Sequence, residues 1–149
     1  MTMQRRLALA LFGLALSAAV VLAQSDPVKE REDLMKQNDE GAKVVVQMMR
    51  GQRPFDGKAV DAAFAQWADT AQKLPGLFPE GSKTGGDNRA SPKIWVNKKD
   101  FDAKAAAFGK AVADNRAKAA ASLEGLRAAI PVVGNACDDC HKEYRLSRR

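Results

Sequence analysis

Apolar residues recur at three- and four-residue steps through most of the chain beyond residue 26, the spacing of one face of an amphipathic α-helix. The pattern predicts four helices, at about 27–50, 56–74, 97–121 and 122–145. No segment shows the apolar–polar alternation of a half-buried strand. Aromatic residues make up only 6% of the chain, and alanine is frequent. We therefore expect an all-α fold.

Four amphipathic helices joined mainly by short links predict an antiparallel, up-down-up-down four-helix bundle. The exception is the Gly-, Pro- and Ser-rich link at 75–92, which is long enough to be functional. In this topology the end of the fourth helix lies beside the start of the first helix and beside the long link. Pro131 lies inside the fourth helix, where we expect a kink or a helix that starts afresh.

Both cysteines and the only histidine of the chain fall within the five residues Cys137-Asp138-Asp139-Cys140-His141. C-x-x-C-H is the attachment signature of c-type haem. Each thiol forms a thioether with a haem vinyl group, and the histidine becomes the proximal ligand of the iron. On a helix the three side chains share one side. The motif predicts one covalently bound haem c with iron in a bundle.

Other interpretations of the motif explain less of it. A redox dithiol is expected beside a βαβ pattern, which is absent here. A structural zinc site needs four nitrogen or sulfur ligands, and this chain offers three. A disulfide between Cys137 and Cys140 would leave His141 unexplained.

The N-terminus indicates export. Arg5 and Arg6 precede an apolar run at 7–22, and Val21-Leu22-Ala23 supplies the small residues of a cleavage site. We predict a signal peptide at 1–23 and a single mature domain at 24–149, with an uncleaved anchor as the alternative. Since c-type haem is attached outside the cytoplasm, we expect the protein in the periplasm, with no membrane association after cleavage.

The net charge of the chain and the placement of its basic residues indicate which kinds of partner it binds. Loss of Arg5 and Arg6 with the signal peptide lowers the formal net charge from +6 to +4. The basic tail, formed by Lys142, Arg145, Arg148 and Arg149, is either a solvated helix end that complements the helix dipole or a docking patch for an acidic redox partner protein. Aromatic and basic residues are not interleaved, so nucleic acid is not expected. No spare histidine or cysteine remains for catalysis, and we expect no enzyme activity.

The second axial ligand of the iron cannot be a histidine of the same chain. Met1 and Met3 leave with the signal peptide, and Met48 and Met49 fall at the opposite end of the predicted bundle. Met35 is therefore the candidate distal iron ligand; the alternative is an ordinary core methionine over the haem.

Three further residues are expected near the haem. Arg31 precedes Met35 by one helical turn and is predicted to pair with a haem propionate; the alternative is a surface ion pair within its helix. Trp95 is predicted to pack on the haem edge. Arg145, one turn beyond His141, is expected either near the free imidazole nitrogen or in solvent.

The chain resembles the class II cytochromes c, which comprise cytochrome c′ and its low-spin relatives of the cytochrome c-556 type. The resemblance spans the whole mature chain. It is carried by Arg31-x-x-x-Met35 and by the C-terminal haem motif followed by Tyr144-Arg145. Supporting segments are Gly51-Gln52-Arg53-Pro54-Phe55-Asp56, Leu77-Phe78-Pro79 and Ser91-Pro92-Lys93-Ile94-Trp95.

The resemblance implies one of two behaviours, divided by the residue at position 35. In cytochrome c′ an apolar residue shields an empty sixth iron position, and nitric oxide binds there. In the low-spin members a methionine binds the iron, and the protein transfers electrons. A hybrid, in which the Met35–iron bond breaks to admit a gas, is the third interpretation. A homodimer through the first two helices is common in the family.

Overall fold

Four long α-helices dominate the computed structural model, which describes residues 26–85 and 88–147. They are α1 (Pro27–Met49), α2 (Gly57–Lys73), α4 (Lys98–Ala121) and α5 (Leu123–Tyr144), with a short α3 (Lys93–Val96) before α4. The signal peptide predicted at 1–23 lies outside the described residues. The four long helices match the predicted ones closely.

Side-chain caps explain where three of the helices begin. Asp26 accepts hydrogen bonds from the backbone N–H groups of Val28 and Lys29 at the start of α1. Asp56 caps α2 in the same way, and Ser122 accepts from the N–H of Gly125 at the start of α5. Such caps satisfy N–H groups that have no partner within the helix, and each contributes about 1 kcal/mol.

Contacts between helices establish an antiparallel order. The start of α1 contacts the residues that follow α2, through Arg31. Near the other end, Asp61 of α2 pairs with Arg116 of α4. The end of α5 returns to the start of α4, where Tyr144 donates to Asp100. These contacts confirm the predicted antiparallel, up-down-up-down bundle.

Two apolar clusters fill the bundle. The larger one, here called the central cluster, is built from all four long helices: Val45, Met48, Val60, Ala63, Phe64, Trp67, Phe108, Val112, Ala119, Leu126, Ala129 and Val133. The smaller one, the end cluster, consists of Leu74, Phe78, Ile94, Phe101 and Tyr144. Burial of a large apolar side chain contributes about 1.5–3 kcal/mol, so the central cluster supplies most of the apolar stabilisation.

The long link between α2 and α3, of which the structure describes residues 74–85 and 88–92, is here called the connection and contains short turns. Two 3₁₀ turns, Leu74–Leu77 and Glu80–Ser82, follow α2 directly. Farther along, Ala90 forms an isolated antiparallel bridge with Arg145 just after α5. The connection is thus folded against the end of α5.

Helix α5 continues through Pro131 and does not start afresh there. A proline removes one hydrogen bond to the carbonyl four residues earlier, here that of Arg127. Pro131 and Arg127 are both exposed, so water can satisfy that carbonyl. The kink expected at Pro131 stays a prediction.

Within residues 26–85 and 88–147, none of the helices has the length and apolar character needed to cross a membrane.

Candidate haem site

The three residues of the haem motif lie in the last two turns of α5. Cys137, Cys140 and His141 are all half-buried. Cys137 packs against the central cluster, and Cys140 packs against the end cluster. The motif therefore lies at the junction of the two clusters, near the connection.

Both cysteines are free thiols in the part of the chain that the structure describes. Burial, reinforced by the charge of Asp138, raises the pKa of the Cys137 thiol to about 11. Burial also raises the pKa of Cys140, although the nearby Lys104 acts in the opposite direction. Both groups are neutral thiols at neutral pH, the form that has a proton to give when it adds across a vinyl group.

His141 has the properties of a neutral imidazole ligand. Burial lowers its pKa, and the positive charges of Arg145 and Arg89 act in the same direction, against Asp138. A neutral ring has a nitrogen lone pair for a metal. A cavity of about 480 Å³ adjoins the ring and is bordered by Arg89, Lys142 and Arg145 and by the acidic Asp138. Two thiols and a neutral imidazole in the last two turns of α5 fit the covalent attachment of a haem, and the nearby Arg89 and Arg145 suit its two carboxylates.

Met35 lies at the same end of the bundle as Cys140. Its half-buried side chain packs against the end cluster, as that of Cys140 does. Met48 is buried in the central cluster, and Met49 packs against that cluster. The carbonyl of Met49 accepts from Arg127, which precedes His141 by 14 residues, or about 21 Å of helix. Of the methionines described, Met35 alone borders the end cluster; iron ligation by Met35 stays a prediction.

Arg31 is buried, with 7% of its surface exposed, and binds the connection. Its guanidinium donates to the carbonyl and hydroxyl oxygens of Ser82 and to the carbonyl of Leu77, at 3.1, 2.9 and 2.6 Å. The side-chain oxygen of Asn88 accepts a fourth bond, at 3.2 Å. The residue is thus not a surface arginine. Its predicted pairing with a haem propionate stays a prediction.

Trp95 is half-buried and packs against the end cluster, together with Met35 and Cys140. Its indole N–H donates to the carbonyl of Pro79 at 3.2 Å, and its ring meets Phe78 edge to face, with the centroids 5.6 Å apart. The structure places Trp95 beside the other candidates, and its packing against the haem edge stays a prediction. Trp67, by contrast, belongs to the central cluster.

Sequence reasoning missed the polar partners that assemble this end. Ser82 and Asn88 accept hydrogen bonds from Arg31, and Asp100 accepts a hydrogen bond from Tyr144 at 2.6 Å. The backbone N–H of Ser91 donates to the Tyr144 carbonyl at 2.9 Å. One signal was available: an arginine in line with the apolar face of its helix needs buried acceptors from elsewhere in the fold.

Known proteins resemble the chain along nearly its full length. The family model described as cytochrome C′ matches residues 26–145. Cytochrome c-556 of Rhodopseudomonas palustris is 38% identical over 136 residues, covering 89% of this chain and 91% of that protein. Cytochrome c′ of the same organism is 38% identical over 139 residues, covering 89% and 90%. The solved structure of cytochrome c′ from R. palustris matches with a TM-score of 0.79 at 36% identity, over 85% of this chain and 100% of that one.

Proposed function

The chain belongs to the cytochrome c′ family, the class II cytochromes c, and its cofactor is a covalently bound haem c; on that premise we propose that it carries single electrons. In this proposal Cys137 and Cys140 hold the haem, His141 is the proximal iron ligand and Met35 is the distal one. The protein is a carrier and not an enzyme.

When bound, the haem supplies an iron atom that changes its oxidation state by one electron. The chain controls how easily that change occurs. A methionine–histidine pair raises the reduction potential of the iron, and apolar surroundings tune it further. The end cluster supplies such surroundings through Phe78, Ile94 and Phe101, each almost fully buried. A site that rearranges little when the iron changes its oxidation state suits electron transfer.

The position of Met35 supports electron transfer most directly. It shares the end cluster with Cys140, whereas Met48 and Met49 belong to the central cluster. In this proposal the Met35 thioether would bind the iron opposite His141, and the protein would then exchange electrons without binding a small ligand.

The second candidate function is binding of nitric oxide at a five-coordinate haem. It stays a candidate because the relatives named cytochrome c-556 and cytochrome c′ are equally similar to this chain, at 38% identity each. In this alternative Met35 packs over the haem without binding the iron. The hybrid, in which the Met35–iron bond opens to admit a gas, lies between the two.

Replacement of Met35 by leucine distinguishes these functions. Electron transfer predicts that Met35→Leu converts a low-spin iron to a high-spin one, because leucine has no sulfur to donate. Met48→Leu is the matched control, since Met48 is buried in the central cluster. Unchanged spin state in Met35→Leu, as judged by the optical and electron paramagnetic resonance spectra, would favour the nitric oxide function.

We further propose a periplasmic location and a redox partner protein with an acidic surface. Lys142 and Arg145 are exposed at the end of α5, close to the haem motif, and attract such a surface. Arg148 and Arg149 of the predicted basic tail lie outside the described residues. The homodimer through α1 and α2 remains a prediction from the family.

A further inference from the structure

Arg31 is a buried charge whose position requires a compensating set of acceptors. Burial lowers its pKa, which shows that the surroundings disfavour the charged form. A buried guanidinium is tolerated when its N–H groups are hydrogen-bonded. Among the described residues, no buried side-chain nitrogen or oxygen lacks a partner. Several polar groups of the protein therefore keep Arg31 at this position.

All four acceptors of the guanidinium come from the connection. One terminal nitrogen donates to the Leu77 carbonyl and the Ser82 hydroxyl, and the other donates to the Ser82 carbonyl and to Asn88. The ring of Phe78 lies 4.5 Å from the guanidinium carbon, close enough for a cation–π contact. Both ends of the planar fork are thus engaged by protein, an arrangement that lysine cannot reproduce.

The connection is braced around these acceptors and extends to the haem motif. The Asn88 amide donates to the Lys83 carbonyl at 2.7 Å, and the Ser82 hydroxyl donates to the Pro79 carbonyl at 2.9 Å. Farther along, the N–H of Ser91 binds the carbonyl of Tyr144, three residues beyond His141. The connection therefore joins α1, one turn before Met35, to the end of α5.

We propose that Arg31 is a positioning residue that fastens the connection to α1 beside Met35 and so keeps the end of the bundle closed over the haem site. The two terminal nitrogens already donate four hydrogen bonds to the connection, so a propionate contact in the same arrangement would use the remaining Nε–H group. The inference does not rest on electron transfer, since a closed connection serves a gas-binding haem equally.

The test is hydrogen–deuterium exchange of the haem-loaded, full-length protein and of its Arg31→Lys variant. Lysine keeps the charge but loses the fork. We expect the amides of Ser82 and Ser91 to exchange about tenfold faster, because local opening loses several charge-assisted hydrogen bonds. Amides in the middle of α2 should keep their rates. Arg116→Lys is the matched control, since Arg116 forms a two-bond pair with Asp61 between α2 and α4, away from the connection.

A second readout separates positioning from general stabilisation. The far-red sulfur-to-iron band of the ferric protein should weaken in Arg31→Lys and persist in Arg116→Lys. If amide exchange in Arg31→Lys is faster but the far-red band is unchanged, Arg31 only stabilises the connection. That result would overturn its positioning role. If the parent protein lacks the band, the Met35 assignment fails and the exchange rates alone decide whether Arg31 fastens the connection.

An unchanged exchange rate, in Arg31→Lys or in a second variant, would contradict the proposal. Unchanged exchange in Arg31→Lys overturns it; an altered pH dependence of the reduction potential in that variant would then support propionate pairing. If Arg31→Lys fails to take up haem, Ser82→Ala serves instead, because it removes one acceptor and leaves the arginine. Exchange at Ser91 in Ser82→Ala should also rise, by a smaller factor, and an unchanged rate would equally overturn the proposal.

Discussion

The two clusters of the bundle are both apolar, but they are enclosed in different ways. The central cluster is closed by apolar side chains from four regular helices, and Phe64 at its heart is fully buried. The end cluster is small, and two of its five buried residues, Leu74 and Phe78, come from the irregular connection. That connection is held by directional polar contacts, from Arg31 to Ser82 and from the backbone N–H of Ser91 to the carbonyl of Tyr144.

This difference between the two clusters suggests that one serves folding and the other serves function. Apolar packing over many residues tolerates substitutions of similar volume. Polar contacts fix a loop in one arrangement but contribute about 1 kcal/mol each. We infer that the central cluster stabilises the bundle, whereas the polar contacts of the end cluster shape a site for the haem.

The largest effect is expected from removal of both thioether bonds. In Cys137→Ala/Cys140→Ala no haem should remain on the protein after denaturation in acid, because His141 alone cannot hold it covalently. The helices around the central cluster should still form, whereas the amides of the connection should lose protection. Haem staining of denatured protein and hydrogen exchange measure the two effects. Haem that survives denaturation in the variant would refute thioether attachment.

Next in size is a cavity in the central cluster. Phe64→Ala should lower the free energy of unfolding by about 3–5 kcal/mol, because it removes a fully buried ring. The far-red sulfur-to-iron band should persist, since Met35 packs against the end cluster and Phe64 belongs to the central cluster. Urea unfolding and absorbance test both parts. Loss of the band would show that the two clusters are not independent.

A smaller effect is expected from one polar contact of the end cluster. Burial and the hydrogen bond to Asp100 raise the pKa of Tyr144 to about 12, so its phenol is protonated and donates at neutral pH. Tyr144→Phe should lower the free energy of unfolding by about 1 kcal/mol, because the exposed Asp100 carboxylate remains hydrated. It should also speed exchange at Ser91. Equal stability and exchange of variant and parent would show that this contact contributes nothing.

The smallest effect belongs to an ion pair far from the haem motif. The hydrogen bond from Arg116 holds the pKa of Asp61 below its ordinary value. Its stabilisation is therefore complete above the unfolded-state pKa of about 3.9 and is lost as pH falls through the lower folded-state value. Asp61→Asn should be slightly less stable than the parent at neutral pH, and thermal unfolding midpoints should converge in acid. A constant difference down to acid pH would contradict this origin.

The helices and the haem motif were predictable because they depend on local sequence. The period of Val60, Phe64 and Trp67 predicts a helix face, and Cys137 to His141 follow one another directly. The polar contacts of the connection were not predictable, because the partners of Arg31 lie 46–57 residues away from it in the sequence. Short-range patterns carry no information on such pairs. Topology, however, did predict that Met35 lies at the end of the bundle that holds Cys140.

The optical spectrum of the haem-loaded protein tests most directly whether Met35 fills the sixth position of the iron. Ferric and ferrous spectra should be recorded before and after carbon monoxide is added. We predict a weak far-red sulfur-to-iron band, sharp split ferrous bands and no response to the gas. A broad high-spin spectrum that shifts with carbon monoxide would contradict ligation by Met35 and assign the protein to gas binding.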